Sequence, residues 1–98
     1  MSEVFVGIGS NVEPELHVQR ALDELGKTFG ALVVSPIYRN AAVGFEGDDF
    51  LNLVVRFHTD LDVQVLVDVL HKVEVSCGRH RGEERWGPRT LDLDLLLY

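Results

Sequence analysis

Ninety-eight residues, 46% of them apolar and 26% charged, make one domain with a core of its own, so residues 1–98 are read as a single unit. A formal net charge of −7 argues against a general nucleic-acid binder or a binder of anionic membranes, both of which carry a basic footprint. The one cysteine, Cys77, excludes an intrachain disulfide or cysteine zinc cluster; with no membrane-length apolar run and no signal-peptide start, a cytoplasmic protein is expected.

Residues 4–8 are short, β-branched and apolar and run into Gly9-Ser10-Asn11, which predicts a strand followed by a turn. After Pro14, well suited to a first helical turn, Val18, Ala21, Leu22, Leu25 and Phe29 recur at helical spacing until Gly30 supplies a stop. Residues 31–38 are β-branched again but broken at Pro36, which fits an edge strand. Residues 40–49, with two glycines and three acids, read as a loop.

Residues 50–59 form the clearest strand pattern, with Leu51, Leu53, Val55 and Phe57 on the core face and Phe50, Asn52, Val54 and Arg56 on the other. Asp60 or Asp62 can cap a second helix whose buried stripe is Val63, Leu66, Val67, Leu70, Val73 and Cys77, and which Gly78 ends. Cys77 itself is expected to be a small buried apolar residue. A charged loop follows, and residues 90–98 predict the last strand.

The order β-α-β-β-α-β predicts an α+β, ferredoxin-like fold, with two helices on one face of an antiparallel sheet and the other face open. If Val4, Val6 and Ile8 face the helices, Gly7 and Gly9 lie on the open face, where the missing side chains let a ligand approach the backbone. In the usual 4-1-3-2 strand order of this fold, Asp92 and Asp94 flank the glycines on one side and Phe50 and Asn52 on the other. His17, His58, His71 and His80 share no metal-ligand spacing and default to surface or partial packing.

Charge is concentrated before the last strand. Between Gly78 and Thr90 four arginines, Arg79, Arg81, Arg85 and Arg89, stand against Glu83 and Glu84, a local +2 that leaves −9 on the rest of the chain. That is a focused anion site on an acidic body. Strand alternation then puts Asp92 and Asp94 on one face, with Cα atoms about 6.6 Å apart, close enough to serve one hard cation or a bridged pair, with Mg²⁺ the natural candidate.

Gly7-Ile8-Gly9-Ser10-Asn11, Phe50-Leu51-Asn52 and above all Arg85-Trp86-Gly87-Pro88-Arg89-Thr90-Leu91-Asp92-Leu93-Asp94 together resemble the 6-hydroxymethyl-7,8-dihydropterin pyrophosphokinases of folate biosynthesis. The resemblance covers nearly the whole chain, with the motifs in the family's order. It implies transfer of pyrophosphate from MgATP to the hydroxymethyl group of the pterin, releasing AMP. By this likeness Asp92 and Asp94 would hold two Mg²⁺ ions bridging the ATP phosphates. Arg79 and Arg81 resemble the family's mobile phosphate clamp and Arg89 its fixed arginine, where a planar guanidinium fork suits phosphate oxygens. Phe50 would stack on the pterin, Asn52 would read its edge, Gly7 and the main chain around Val43 would border it, and Trp86 would help close that side. His71 and Glu74 align with nucleotide-side positions.

Where the family usually has a Thr-x-Pro-type segment, this chain reads Asn40-Ala41-Ala42-Val43. Family members also continue past the position of Tyr98 with a second stacking aromatic and further ATP-side groups, which are expected to be missing here. A second chain supplying that side is compatible with the sequence but not indicated by it. The alternative reading is a short, catalytically impaired homologue that binds nucleotide or pterin as a regulatory module. An RNA-recognition domain shares the topology but needs an aromatic strand motif and a basic surface that this chain does not have.

Overall fold

The computed structural model describes residues 1–40, 50–77 and 91–98. They form β1 (Ser2–Ser10), α1 (Pro14–Phe29), β2 (Val33–Val34), β3 (Tyr38–Asn40), β4 (Phe50–Thr59), α2 (Val63–Ser76) and β5 (Asp92–Leu97). The strands make one antiparallel sheet in the order β2-β4-β1-β5, with β3 also paired to β4. This is the expected α+β ferredoxin-like arrangement, with β1 and β4 central.

Alternation decides which side of the sheet is dry. Val4, Val6 and Ile8 of β1, Leu51, Leu53, Val55 and Phe57 of β4 and Leu93 of β5 point to one side and are at most 4% exposed. Both helices pack there: Val18, Ala21 and Leu25 come from α1, and Leu66, Leu70 and Val73 from α2. At the far end of this core Phe29 stacks on Phe57, ring centroids 4.3 Å apart. The α2 stripe is narrower than expected. Val63 is exposed and Val67 half-buried, while Leu66, Leu70 and Val73 are buried.

The helix ends follow their local chemistry. The Asp62 carboxylate accepts the Val65 N–H at 2.9 Å, while Asp60, the other candidate cap, lies 3.6 Å from the amino-terminal ammonium instead. Gly30, with φ 83°, ends α1, and its N–H donates to the Gly26 carbonyl. Cys77 caps α2, and the expected stop, Gly78, lies outside the described residues. Burial pushes the Cys77 thiol up from its ordinary range, so it stays protonated as a packing group.

Three expectations change. The predicted edge strand at 31–38 is two short pieces, because Pro36 has no N–H to donate. Ser35 bridges the gap: its N–H donates to the Val54 carbonyl, and its hydroxyl accepts the Val54 N–H at 2.8 Å. Asn40, assigned to the loop, is the last residue of β3 and pairs with Phe50. His17, expected at the surface or partly packed, is buried, and its Nδ1–H donates to the carbonyls of Val12 and Glu13 at 2.5 and 3.2 Å. That anchor holds Glu13 in the left-handed region, φ 41°, which costs a non-glycine residue about 1–2 kcal/mol.

Candidate functional site

The strand register brings the separate motifs together. Gly9 lies opposite Asn52 on β4 and opposite Asp92 on β5, while Gly7 lies opposite Val54 and Asp94. Two rows therefore cross the open face: Asn52, Gly9, Asp92 and Val54, Gly7, Asp94. At a strand spacing of about 4.8 Å, each row spans about 10 Å from β4 to β5. A pocket of about 260 Å³ sits on these rows, lined by Phe50 and Asn52 on one side and Asp92 and Asp94 on the other, with Gly7 and Gly9 between.

The two glycines are not equivalent. A Cβ at Gly9 would stand 3.0 Å from Asn52 Oδ1, so the bare backbone there lets the Asn52 amide lie across β1. At Gly7 the space is taken by Leu96, whose Cδ1 would be 3.4 Å from an added Cβ. The expected open floor is thus partly covered. Leu96 follows Asp92 and Asp94 onto this face by the same alternation, beside an irregularity in the β1–β5 ladder where Val6 pairs with Leu95 and Phe5 with Leu97.

Asp92 is half-buried and Asp94 exposed. Among the described residues no third histidine, cysteine, aspartate or glutamate joins them in a metal-binding group. Two hard carboxylates with room beside them fit Mg²⁺, which keeps water and substrate phosphate oxygens as its remaining ligands. They do not fit zinc, which favours three or four nitrogen and sulfur ligands.

The nucleotide-side candidates sit differently. His71 is exposed on α2 beside Lys72 and Val75, along a hollow of about 310 Å³, and does not line the pocket of the open face. Glu74 is 4% exposed, and its Oε2 accepts the Leu93 N–H at 2.8 Å. It reaches β5 from the helix side. Glu74 was not in the expected buried stripe although it follows Leu70 by four residues; a carboxylate enters a core only where it finds a donor. Arg79, Arg81, Arg89, Trp86 and Val43 lie outside the described residues. No helix among the described residues is long and apolar enough to cross a membrane.

The family model of 7,8-dihydro-6-hydroxymethylpterin-pyrophosphokinase matches residues 5–98. The chain is 37% identical over 100 residues to the 2-amino-4-hydroxy-6-hydroxymethyldihydropteridine pyrophosphokinase of Aquifex aeolicus, covering 100% of this chain and 62% of the relative. It is 39% identical over 102 residues to the protein of the same name from Pseudomonas aeruginosa, again covering 100% and 62%. Against the bifunctional protein FolKE of Lactococcus lactis subsp. cremoris it is 35% identical over 102 residues, which is 29% of that protein. The chain thus spans about three fifths of the single-function relatives. With the family match running from Phe5 to the last residue, over a fold that brings Gly7, Gly9, Phe50, Asn52, Asp92 and Asp94 to one face, the chain belongs to the 7,8-dihydro-6-hydroxymethylpterin-pyrophosphokinase family.

Proposed function

We propose that this chain carries the core of an enzyme that transfers pyrophosphate from ATP to the hydroxymethyl group of 6-hydroxymethyl-7,8-dihydropterin, releasing AMP, in folate biosynthesis. The observation that supports it most is the row Asn52, Gly9, Asp92: an amide and a carboxylate face each other across a bare backbone. In this reaction the hydroxymethyl oxygen bonds to the β-phosphorus, the bridge to the α-phosphate breaks, and AMP leaves with the bridging oxygen. A flat heterocycle and a polyphosphate must therefore lie side by side, as the two walls of this pocket allow.

Phe50 offers its ring for stacking, and Asn52 offers both a donor and an acceptor to the heterocycle's edge. Asp92 and Asp94 would hold Mg²⁺, with two ions expected when ATP is bound; the metal would neutralise charge on the bridging and leaving oxygens. Arg79, Arg81 and Arg89 are assigned the phosphates, Arg79 and Arg81 as a clamp that tightens during transfer. Trp86 and the Val43 segment are assigned the pterin side, and His71 the nucleotide side.

The 98-residue chain incubated with MgATP and the pterin is expected to form AMP in pterin-dependent amounts, read by chromatography. Binding of the pterin and a nonhydrolysable ATP analogue with no AMP formed would sink the enzyme reading and leave a binding module.

The glycine rows make a finer prediction. Gly9→Ala pushes Asn52 off its line, and a misplaced polar contact of this kind costs about tenfold to a hundredfold, so KM for the pterin should rise about tenfold. Gly7→Ala meets only the flexible end of Leu96 and should stay within about threefold. Equal effects of the two substitutions in steady-state kinetics would refute the role given to Asn52.

A further inference from the structure

Glu74 is a carboxylate where a helix should bury an apolar side chain. It lies on α2 between Val73 and Val75, 4% exposed, and its Oε2 accepts the backbone N–H of Leu93, nineteen residues away. Burying a carboxylate is costly unless charge-assisted hydrogen bonds offset it. The residue it holds is the one between the two aspartates.

The ladder shows what that bond does. β5 lies at the end of the strand order, with β1 on one side. In an antiparallel pair, successive residues point their N–H and C=O groups alternately toward the partner and away. Leu93 sends its N–H to Glu74, so it points away from β1, and Asp92 and Asp94 point toward it, opposite Gly9 and Gly7. The strand is thus held from both sides at three successive residues. The relative aim of two side chains at i and i+2 is set by the backbone of the residue between them, so whatever holds Leu93 sets the angle between the Asp92 and Asp94 carboxylates.

We propose that Glu74 is a positioning residue: through the Leu93 amide it fixes β5 so that Asp92 and Asp94 converge on one cation. The inference rests on the metal reading of that pair. Its distinctive requirement is reach. A glutamine at 74 keeps the acceptor in place and loses the charge, whereas an aspartate keeps the charge and draws the acceptor back by one methylene. Positioning through the hydrogen bond predicts that glutamine succeeds and aspartate fails, the opposite of what a direct electrostatic role requires.

The test compares E74Q, E74D and E74M in the whole chain, with D92N as a control. Leu93 amide exchange, followed by NMR, should speed up at least about tenfold in E74D and stay near the unsubstituted value in E74Q. The Mn²⁺ dissociation constant, read from water proton relaxation, should rise about tenfold in E74D and stay within about threefold in E74Q, in line with other residues that orient metal ligands. E74M, equally long but without an acceptor, should follow E74D and keeps the comparison open if E74D does not fold. The proposal falls if E74D and E74M bind Mn²⁺ normally, or if E74Q is as impaired as E74D. If D92N binds Mn²⁺ like the unsubstituted chain, or that chain binds none, the metal reading itself has failed. If D92N loses Mn²⁺ while E74D keeps it, only the role of Glu74 falls.

Discussion

Asp92→Ala and Asp94→Ala are each expected to lower the rate of AMP formation about a thousandfold, the loss that follows when several kcal/mol of metal-dependent charge stabilisation is removed at 1.36 kcal/mol per factor of ten. Among the described residues these two carboxylates are the proposed donor set, so removing either leaves one of them. The fold should survive. Asp94 is exposed and Asp92 half-buried, both on the side of the sheet away from the core, so the melting temperature should move by less than about 4 °C. Electrostatics sharpens the comparison. Deleting a negative charge from a chain of net charge −7 favours the approach of ATP, so a slower reaction cannot be put down to weaker long-range attraction. The check is a Mg²⁺ titration of turnover in each variant beside circular dichroism melts; a variant with the normal rate and normal Mg²⁺ dependence would overturn the assignment.

The fold was legible where periodicity and punctuation agreed. α2 is the hardest case, because valine stands at 63, 65, 67, 69, 73 and 75, an alternation that reads locally as a strand. Leu66, Leu70 and Val73 at helical spacing, with the Asp62 cap, decide for helix, since only that phase buries one continuous stripe against the sheet. β4 was legible for the opposite reason. Its alternation is unbroken from Phe50 to Thr59, and that phase set Phe50 and Asn52 on the same face as the glycines.

What stayed hidden depends on contacts between distant residues. A two-residue pairing before Ser35 and a three-residue pairing after it cannot be told from one frayed edge strand, because the difference is a serine hydroxyl meeting the Val54 N–H across the ladder. Alternation puts Leu96 on the face of Asp94, but its contact over Gly7 is made across strands. His17 and Glu74 are polar residues kept inside by backbone groups that only the folded chain brings to them. Gly7, Phe50, Asn52, Asp92 and Asp94 were legible as residues sharing one face; which of them touch, and which are held from behind, was not.

Phe57→Ala is expected to cost about 3–5 kcal/mol, against a total stability of about 5–15 kcal/mol for a domain of this kind. Phe57 is 1% exposed, and its ring joins β4 to the last turn of α1 through Phe29. No neighbour can move in to fill the space, because Val4 opposite it and Leu25 above are already buried and committed to the same core. In a domain of this size that loss lowers the melting temperature by about 15–30 °C. The pocket should not notice while the chain stays folded. Asn52 lies five residues along β4, about 17 Å away at strand rise, on the opposite face. Urea melts and pterin titration at low temperature, run on the same variant, should therefore show a large fall in stability with an unchanged dissociation constant. A stability loss below about 1 kcal/mol would mean that the Phe29–Phe57 stack does not close this end of the core, since a cavity of that size cannot be so cheap. A large loss accompanied by weaker pterin binding would mean that the two ends of β4 are coupled, and that the site depends on the core beyond its own strand register.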